Sequence, residues 1–296
     1  MRRSSCSPTA RGISPWPTSI STAGRRCVAE APPPVTLPGT ETHLLHGPGG
    51  EYHLFLSVPQ GEAPPGGFPV LTVLDGNAYF PMVLSIQRNG AQRHAATGIG
   101  PAVVAGIAYP GAPLLDRARR TLDFTAGPPA EGTPHPTGGR DAFLRLLLEQ
   151  VRPLIASRCA INPARQMLIG HSLGGFFTLD VLAWDASAFS DYLAISPSVW
   201  WDEARLRAGP AHAGKRLAVC VGEWEQALSP RELMDPRARD AAERRARRSM
   251  VDKAHGMTTH FAAAGIQSRF WCFPEENHAS VVPIGISRGL RFLLRE

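Results

Sequence analysis

Six short apolar runs, each too short for a helix and bounded by chain breakers, constrain this sequence more than any other feature. They fall at residues 69–74, 102–108, 166–169, 192–195, 217–221 and 269–273. Between them apolar positions recur at helical spacing, over residues 78–89, 140–158, 174–184, 237–264 and 281–294. A strand covered on both faces reads as a continuous apolar block, and strand–helix alternation builds a parallel sheet sandwiched between helices. Ahead of these runs, residues 43–45 and 52–58 alternate in polarity around Gly47-Pro48-Gly49-Gly50, which predicts an antiparallel hairpin at a sheet edge. The expected fold class is therefore α/β, a mostly parallel central sheet with an N-terminal antiparallel edge hairpin and helices on both faces.

Residues 1–34 lack either periodicity, are rich in Ser, Pro, Arg and Thr, and end in Pro32-Pro33-Pro34. Such a stretch is expected to be a disordered tail ahead of a single domain over 35–296. With 43% hydrophobic residues the domain can fill a large core, and no run approaches the roughly 20 apolar residues of a membrane-spanning helix. Arg2 and Arg3 begin as a secretory signal does, but no apolar stretch of about 7–15 residues follows. The expected location is the cytoplasm, with the periplasm as the alternative if the assigned start is wrong. The net charge of +6 comes from 31 basic and 25 acidic residues that are interspersed, so neither nucleic acid nor membrane is an expected partner. Arg237, Arg239, Arg244, Arg245, Arg247 and Arg248 spread over more than one helix face and alternate with Asp240 and Glu243, which predicts a solvated helix. Cys6, Cys27, Cys159, Cys220 and Cys272 are odd in number and irregularly spaced, without metal-ligand rhythm, so no disulfide framework and no metal site are expected. Cys220 and Cys272 fall in apolar runs and are expected to be buried.

The run Gln166-Met167-Leu168-Ile169 leads into Gly170-His171-Ser172-Leu173-Gly174-Gly175, and a helical segment starts at Phe176. This is a Gly-x-Ser-x-Gly turn between strand and helix. A serine there occupies a sharp bend, the flanking small residues let backbone pass closely, and free N–H groups at the helix start favour an oxyanion. A tight packing turn or a phosphate loop is the plainer explanation of the glycines. The correct flanks on both sides favour Ser172 as a nucleophile. His171 is expected only to pack or hydrogen-bond beside it.

On this fold the order is serine, acid, histidine, so the base belongs after the last strand. Of ten histidines, His278 in the polar loop 274–280 has that address. The acid should follow the run 217–221, where Gly222-Glu223-Trp224-Glu225-Gln226 offers two glutamates. Glu225, a few residues past the strand, is preferred for orienting the imidazole; Glu223 is the alternative and Asp235 a distant third. A serine–histidine dyad with weak acid support stays open. For the oxyanion the candidate donors are the backbone N–H groups of Leu173 and Asn77, the latter in the Asp75-Gly76-Asn77 turn after an early strand.

Taken in order, Leu74 to Phe80, Gly106 to Pro110, Arg120 to Thr125, Gly138-Gly139, Gly170 to Gly175, Ser196 to Trp201, Gly222 to Gln226 and Asn277-His278 resemble the putative-esterase family of α/β hydrolases. The resemblance runs from about residue 40 to the end and is nearest to the branch acting on ferric-enterobactin and bacillibactin, the trilactone siderophores. It implies a serine esterase that needs no cofactor, working through an acyl-enzyme, with the lactone links of a catecholate siderophore as substrate. A ferric tris-catecholate is a large trianion, so the resemblance further implies cations and aromatic surface, with Arg88, Arg93, Arg120, Trp200 and Trp201 as candidates. Arg120 is alternatively held by Asp123, and the two tryptophans are alternatively core. The rival readings are a general carboxylesterase, thioesterase or acyltransferase on small substrates, and a non-catalytic binding protein on the same fold. The sequence does not fix an oligomeric state.

Overall fold

The computed structural model of the chain describes residues 35–296 except Pro113, Ala211, His212, Arg237 and Glu296. The tail expected over 1–34, with Cys6 and Cys27, lies outside the described residues. Eight strands run β1 (Glu41–Gly47), β2 (Gly50–Ser57), β3 (Phe68–Val73), β4 (Val103–Ala108), β5 (Ile161–His171), β6 (Asp191–Ile195), β7 (Arg216–Gly222) and β8 (Gln267–Phe273). The helices are α1 (Gly76–Ala91), α2 (His94–Thr97), α3 (Arg117–Phe124), α4 (Arg140–Leu146), α5 (Arg152–Arg158), α6 (Leu173–Trp184), α7 (Glu203–Ala208), α8 (Ala238–Arg248), α9 (Met250–Ala263) and α10 (Val281–Leu293).

The strands form one sheet in the order β1-β2-β4-β3-β5-β6-β7-β8. β1 and β2 pair antiparallel through Gly47 and Gly50, and β2 is antiparallel to β4. The other neighbours are parallel, so the expected edge hairpin and parallel sheet are both present. Alternation along the strands sorts the core into two layers. Leu71, Val73, Met167, Ile169, Leu193 and Ile195 pack with Phe80, Val83 and Leu84 of α1 and Ile286 and Leu290 of α10. Val70, Leu168, Tyr192, Ala194, Leu217 and Val219 pack on the opposite face with Phe143, Phe176, Phe177, Met257 and Phe261. α6 is buried along almost its whole length, which explains why it is apolar all round rather than striped.

Several boundaries differ from the sequence reading. The helical stretch 140–158 is α4 and α5 joined by a π-helical turn at Leu147–Val151. The stretch 237–264 breaks at Ser249, whose left-handed backbone (φ 43°) ends α8 and starts α9 in a new direction. α3 and α7 were not expected, because each is short and rich in charge. Their signal is an aspartate cap: Asp116 accepts from the Arg119 N–H and Asp202 from the Arg205 N–H, both at 3.0 Å. Cys220 is buried, but Cys272 is exposed, because β8 closes the sheet as an edge strand and only one of its neighbours shields it. Among the described residues no helix is long and apolar enough to cross a membrane.

The parallel strands all end on one side of the sheet. Asp75 follows β3, Ser172 follows β5, Ser196 follows β6, Glu225 follows β7 and His278 follows β8. Ligand sites in open α/β sheets form outside these carboxyl ends.

Candidate active site

Ser172 sits between the last residue of β5 and the first of α6 with φ 59° and ψ −115°, a conformation that L-residues rarely adopt. The bend is so tight that a Cβ on Gly170 would collide with the Gly174 carbonyl oxygen and with Thr178 Oγ1. Asp75 (φ 51°) and Ser196 (φ 47°) are strained beside it. Strain of this kind costs about 1–3 kcal/mol per residue and persists only where the surroundings dictate it. Here they do: the Ser172 N–H donates to the Ile195 carbonyl at 2.9 Å, and the Ser198 N–H donates to the Ser172 carbonyl at 3.0 Å.

His278 Nδ1 lies 2.7 Å from Glu225 Oε2. Glu225 is 3% exposed, and its other oxygen accepts the Ser196 hydroxyl at 2.6 Å and the Gly222 N–H at 2.7 Å. Three donors on one buried carboxylate compensate its lost hydration and fix its plane. Glu223 is exposed and accepts instead from the Glu275 N–H at 2.9 Å. Asp235 lines a separate cavity with Glu232 and Asp240. Ser172, Glu225 and His278 line one cavity of about 260 Å³ together with Ser198, Trp200, Trp224, Arg244, Arg245, Arg248 and Met250. The Ser172 hydroxyl faces Ser198 Oγ at 3.4 Å, so a proton transfer to the imidazole requires that hydroxyl to turn toward Nε2.

The loop carrying His278 is tied down twice. The Trp224 N–H donates to the Glu276 carbonyl at 3.0 Å, and Gly222 approaches that backbone so closely that a Cβ would strike the Glu276 carbonyl. On the other side, His171 Nε2 donates to the His278 carbonyl at 2.8 Å while its Nδ1 accepts the Tyr79 hydroxyl at 2.8 Å. Burial, reinforced by the neighbouring His278, pushes the His171 pKa down to about 3. Burial pushes the Tyr79 phenol up to about 12. His171 is thus neutral and Tyr79 protonated, which fixes the direction of both hydrogen bonds.

Arg120 is buried and forks onto Asp75, with Nε to Oδ1 at 3.0 Å and Nη2 to Oδ2 at 2.8 Å, and it also reaches the His171 carbonyl at 3.3 Å. Its partner is therefore Asp75 and not Asp123. Asp123 instead accepts the Tyr52 and Tyr109 hydroxyls, and burial pushes its pKa up to about 6. Arg120, Trp200 and Trp201 share with Ser172, Leu173 and His278 the wall of a second cavity of about 530 Å³. Trp201 is almost fully buried and donates to the Gly127 carbonyl at 3.0 Å. Arg88 and Arg93 are not brought to Ser172. Arg88 is spent on Ser57 Oγ (3.0 Å) and the Gly39 carbonyl and lines a different cavity, and Arg93 precedes α2. The Asn77 side chain staples the 109–112 loop through the Tyr109 N–H (2.7 Å) and the Tyr109 and Ala112 carbonyls; the residue lines neither cavity.

Sequence reasoning missed Ser196, Ser198 and the arginines of α8. The two serines follow the end of β6, where the sheet topology alone points to the site. Nothing local marks Arg244, Arg245 and Arg248: α8 buries no residue, as a solvated helix should, yet it lies along the cavity that contains Ser172. Among the described residues no group of three His, Cys, Asp or Glu is arranged to hold a metal ion.

An eight-stranded, mostly parallel sheet with a serine on a strained strand-to-helix bend, and an imidazole and a carboxylate at later strand ends, defines an α/β hydrolase. Residues 46–273 match the Esterase family, described as "Putative esterase", and the chain belongs to that family. It is 34% identical over 279 residues to the ferri-bacillibactin esterase BesA of Bacillus subtilis, an alignment covering 88% of this chain and 91% of that protein. It is 31% identical over 296 residues to the siderophore triacetylfusarinine C esterase of Aspergillus fumigatus, covering 91% and 98%. Among solved structures, the siderophore hydrolase EstA from Aspergillus nidulans superposes with a TM-score of 0.76 at 26% identity, covering 88% of this chain and 97% of that one. The chain is an ester hydrolase.

Proposed function

We propose that this chain hydrolyses the ester links of a siderophore with Ser172 as nucleophile, His278 as general base and Glu225 as the acid that orients it. The observation that carries the assignment is the 2.7 Å contact between His278 Nδ1 and Glu225 Oε2 in the wall of the cavity that holds Ser172. With Nδ1–H given to the carboxylate, Nε2 is the free base. It takes the Ser172 proton as Oγ attacks the ester carbonyl, and returns it to the departing alkoxide as the acyl-enzyme forms. A water molecule, activated by the same nitrogen, releases the acid. The developing oxyanion is assigned to the backbone N–H of Leu173, the first residue of α6 and part of the larger cavity's wall, a donor of a kind worth ~3 kcal/mol. The siderophore reading rests on the names of the relatives, which include esterases for ferri-bacillibactin and triacetylfusarinine C.

The test is a substrate panel run on wild type and Ser172→Ala. Ferric and iron-free siderophore trilactones are compared with p-nitrophenyl esters, alongside labelling by a fluorophosphonate. Labelling confined to Ser172, and kcat/KM higher on a siderophore than on the simple esters, are expected. Faster turnover of simple esters by an enzyme that still labels would leave a general carboxylesterase, and absence of labelling would remove the serine mechanism.

A further inference from the structure

The two cavities at Ser172 share part of their lining: Ser172, Ser198, Trp200, Arg248 and His278 belong to both. Trp200 and Arg248 therefore stand as a partition between two chambers that meet at the candidate nucleophile. The Arg248 guanidinium lies over the Trp200 ring, 3.6 Å from its centroid, and is tied to Glu131 on the facing loop. Two donors inside this partition, Arg248 Nε and Trp200 Nε1, are shielded from water and have no hydrogen-bond partner. Unpartnered donors of this kind are costly and rare in folded proteins.

The surroundings are cationic. Arg120 is matched by Asp75 and Arg245 by Glu232, but among the described residues Arg117 in the larger chamber and Arg244 in the smaller one form no ion pair. Glu131, the one carboxylate held by Arg248, is about a third exposed, so releasing it to water costs little. A planar anionic group fits this arrangement: it would replace Glu131 against the guanidinium and lie beside the indole in the wall that both chambers share.

We propose that Arg248 and Trp200 are the recognition pair for a planar, negatively charged group on the ester substrate, with Arg248 exchanging Glu131 for that group. This proposal rests on the esterase reading above, and deepens it by naming the chemistry that the site selects. Arg248 binds and does not take part in proton transfer, so its effect belongs in KM.

The experiment compares two esters with the same leaving group, p-nitrophenyl benzoate and its ring-carboxylated analogue, on the full-length protein. The readout is the ratio of kcat/KM for the carboxylated ester to that for the neutral one. Arg248→Gln should lower this ratio at least tenfold through KM, and Arg248→Lys should restore only part of it. Glu131→Gln, which frees the guanidinium without touching it, should raise the ratio at least twofold. Arg247→Gln, exposed on the same helix and outside both chambers, is the charge control. A ratio within twofold of wild type in Arg248→Gln, or the same shift in Arg247→Gln, overturns the proposal. Fluorophosphonate labelling separates the two levels: labelling with an unmoved ratio sinks only the recognition pair, whereas no labelling and no turnover of either ester sinks the esterase reading.

Discussion

Replacing Glu225 by glutamine tests the site through one atom. Glu225 Oε1 accepts two donors, the Ser196 hydroxyl and the Gly222 N–H, and Oε2 faces His278 Nδ1. A glutamine has one acceptor oxygen and one NH₂, so two placements compete. With its NH₂ toward Ser196 and Gly222, the Ser196 hydroxyl can turn to accept, but the Gly222 N–H meets a donor and one buried hydrogen bond is lost, at about 1–3 kcal/mol. With its oxygen there, both bonds survive and the NH₂ faces the imidazole. The second placement wins by about 1–3 kcal/mol, and it forces His278 to accept at Nδ1 and carry its proton on Nε2. That tautomer cannot take the Ser172 proton. The expected loss is therefore about 10⁴-fold in kcat, or about 5.4 kcal/mol in the barrier, with the denaturant midpoint close to wild type. Glu225→Ala should behave oppositely on stability, because it leaves the Ser196 and Gly222 donors unmet and lowers the unfolding free energy by several kcal/mol. Steady-state kinetics and urea melts on the two variants decide the matter. A glutamine variant that keeps more than a tenth of wild-type kcat refutes the reasoning.

Other expectations follow from the supports around the site. The His171 pKa of about 3 lies below the value near 6.5 of an unfolded chain. As pH falls from 6.5 toward 3, the unfolded state takes up a proton that the native state refuses, so stability drops by up to about 1.4 kcal/mol per pH unit. His171→Gln, which can still bridge Tyr79 and the His278 carbonyl, should lose about 2–3 kcal/mol less than wild type between pH 6.5 and 4.5 in urea melts; equal losses would contradict the assignment. Gly222→Ala should push the 276–278 backbone away and lower kcat/KM about 100-fold, since displacements of ~1 Å at a reacting group have that effect; a crystal structure with an unmoved loop would count against it. Arg120→Ala leaves Asp75 buried without its partner and should cost about 3–5 kcal/mol in chemical denaturation, whereas a cost below 1 kcal/mol would mean that Asp75 finds another donor.

The parallel sheet, the edge hairpin and the bend at Ser172 could be read in advance because each is encoded locally, in runs bounded by breakers and in glycines that a tight turn demands. That Glu225 rather than Glu223 meets His278 was also legible, since a carboxylate a few residues past the strand end can turn inward while the nearer one is still pointing out. Arg88 and Arg93 failed for the reverse reason. They were chosen for charge alone, and charge on a helix says nothing about which end of the sheet it faces. The partner of Arg120 went unread because Asp75 lies 45 positions away and meets it only once β3 and α3 are docked on the elbow. The α8 arginines looked solvated, and half of that reading holds: the helix is exposed, but over a cleft whose position is set by tertiary structure.

The bond from His171 to the His278 carbonyl has a mechanical corollary. It welds the segment bearing Ser172 to the segment bearing His278, so one rim of the cleft is braced and these two side chains keep their spacing. The opposite rim, α8 and the loop around Glu131, is fastened by partly exposed ion pairs. Traffic in and out of the cleft therefore has only that rim to push against.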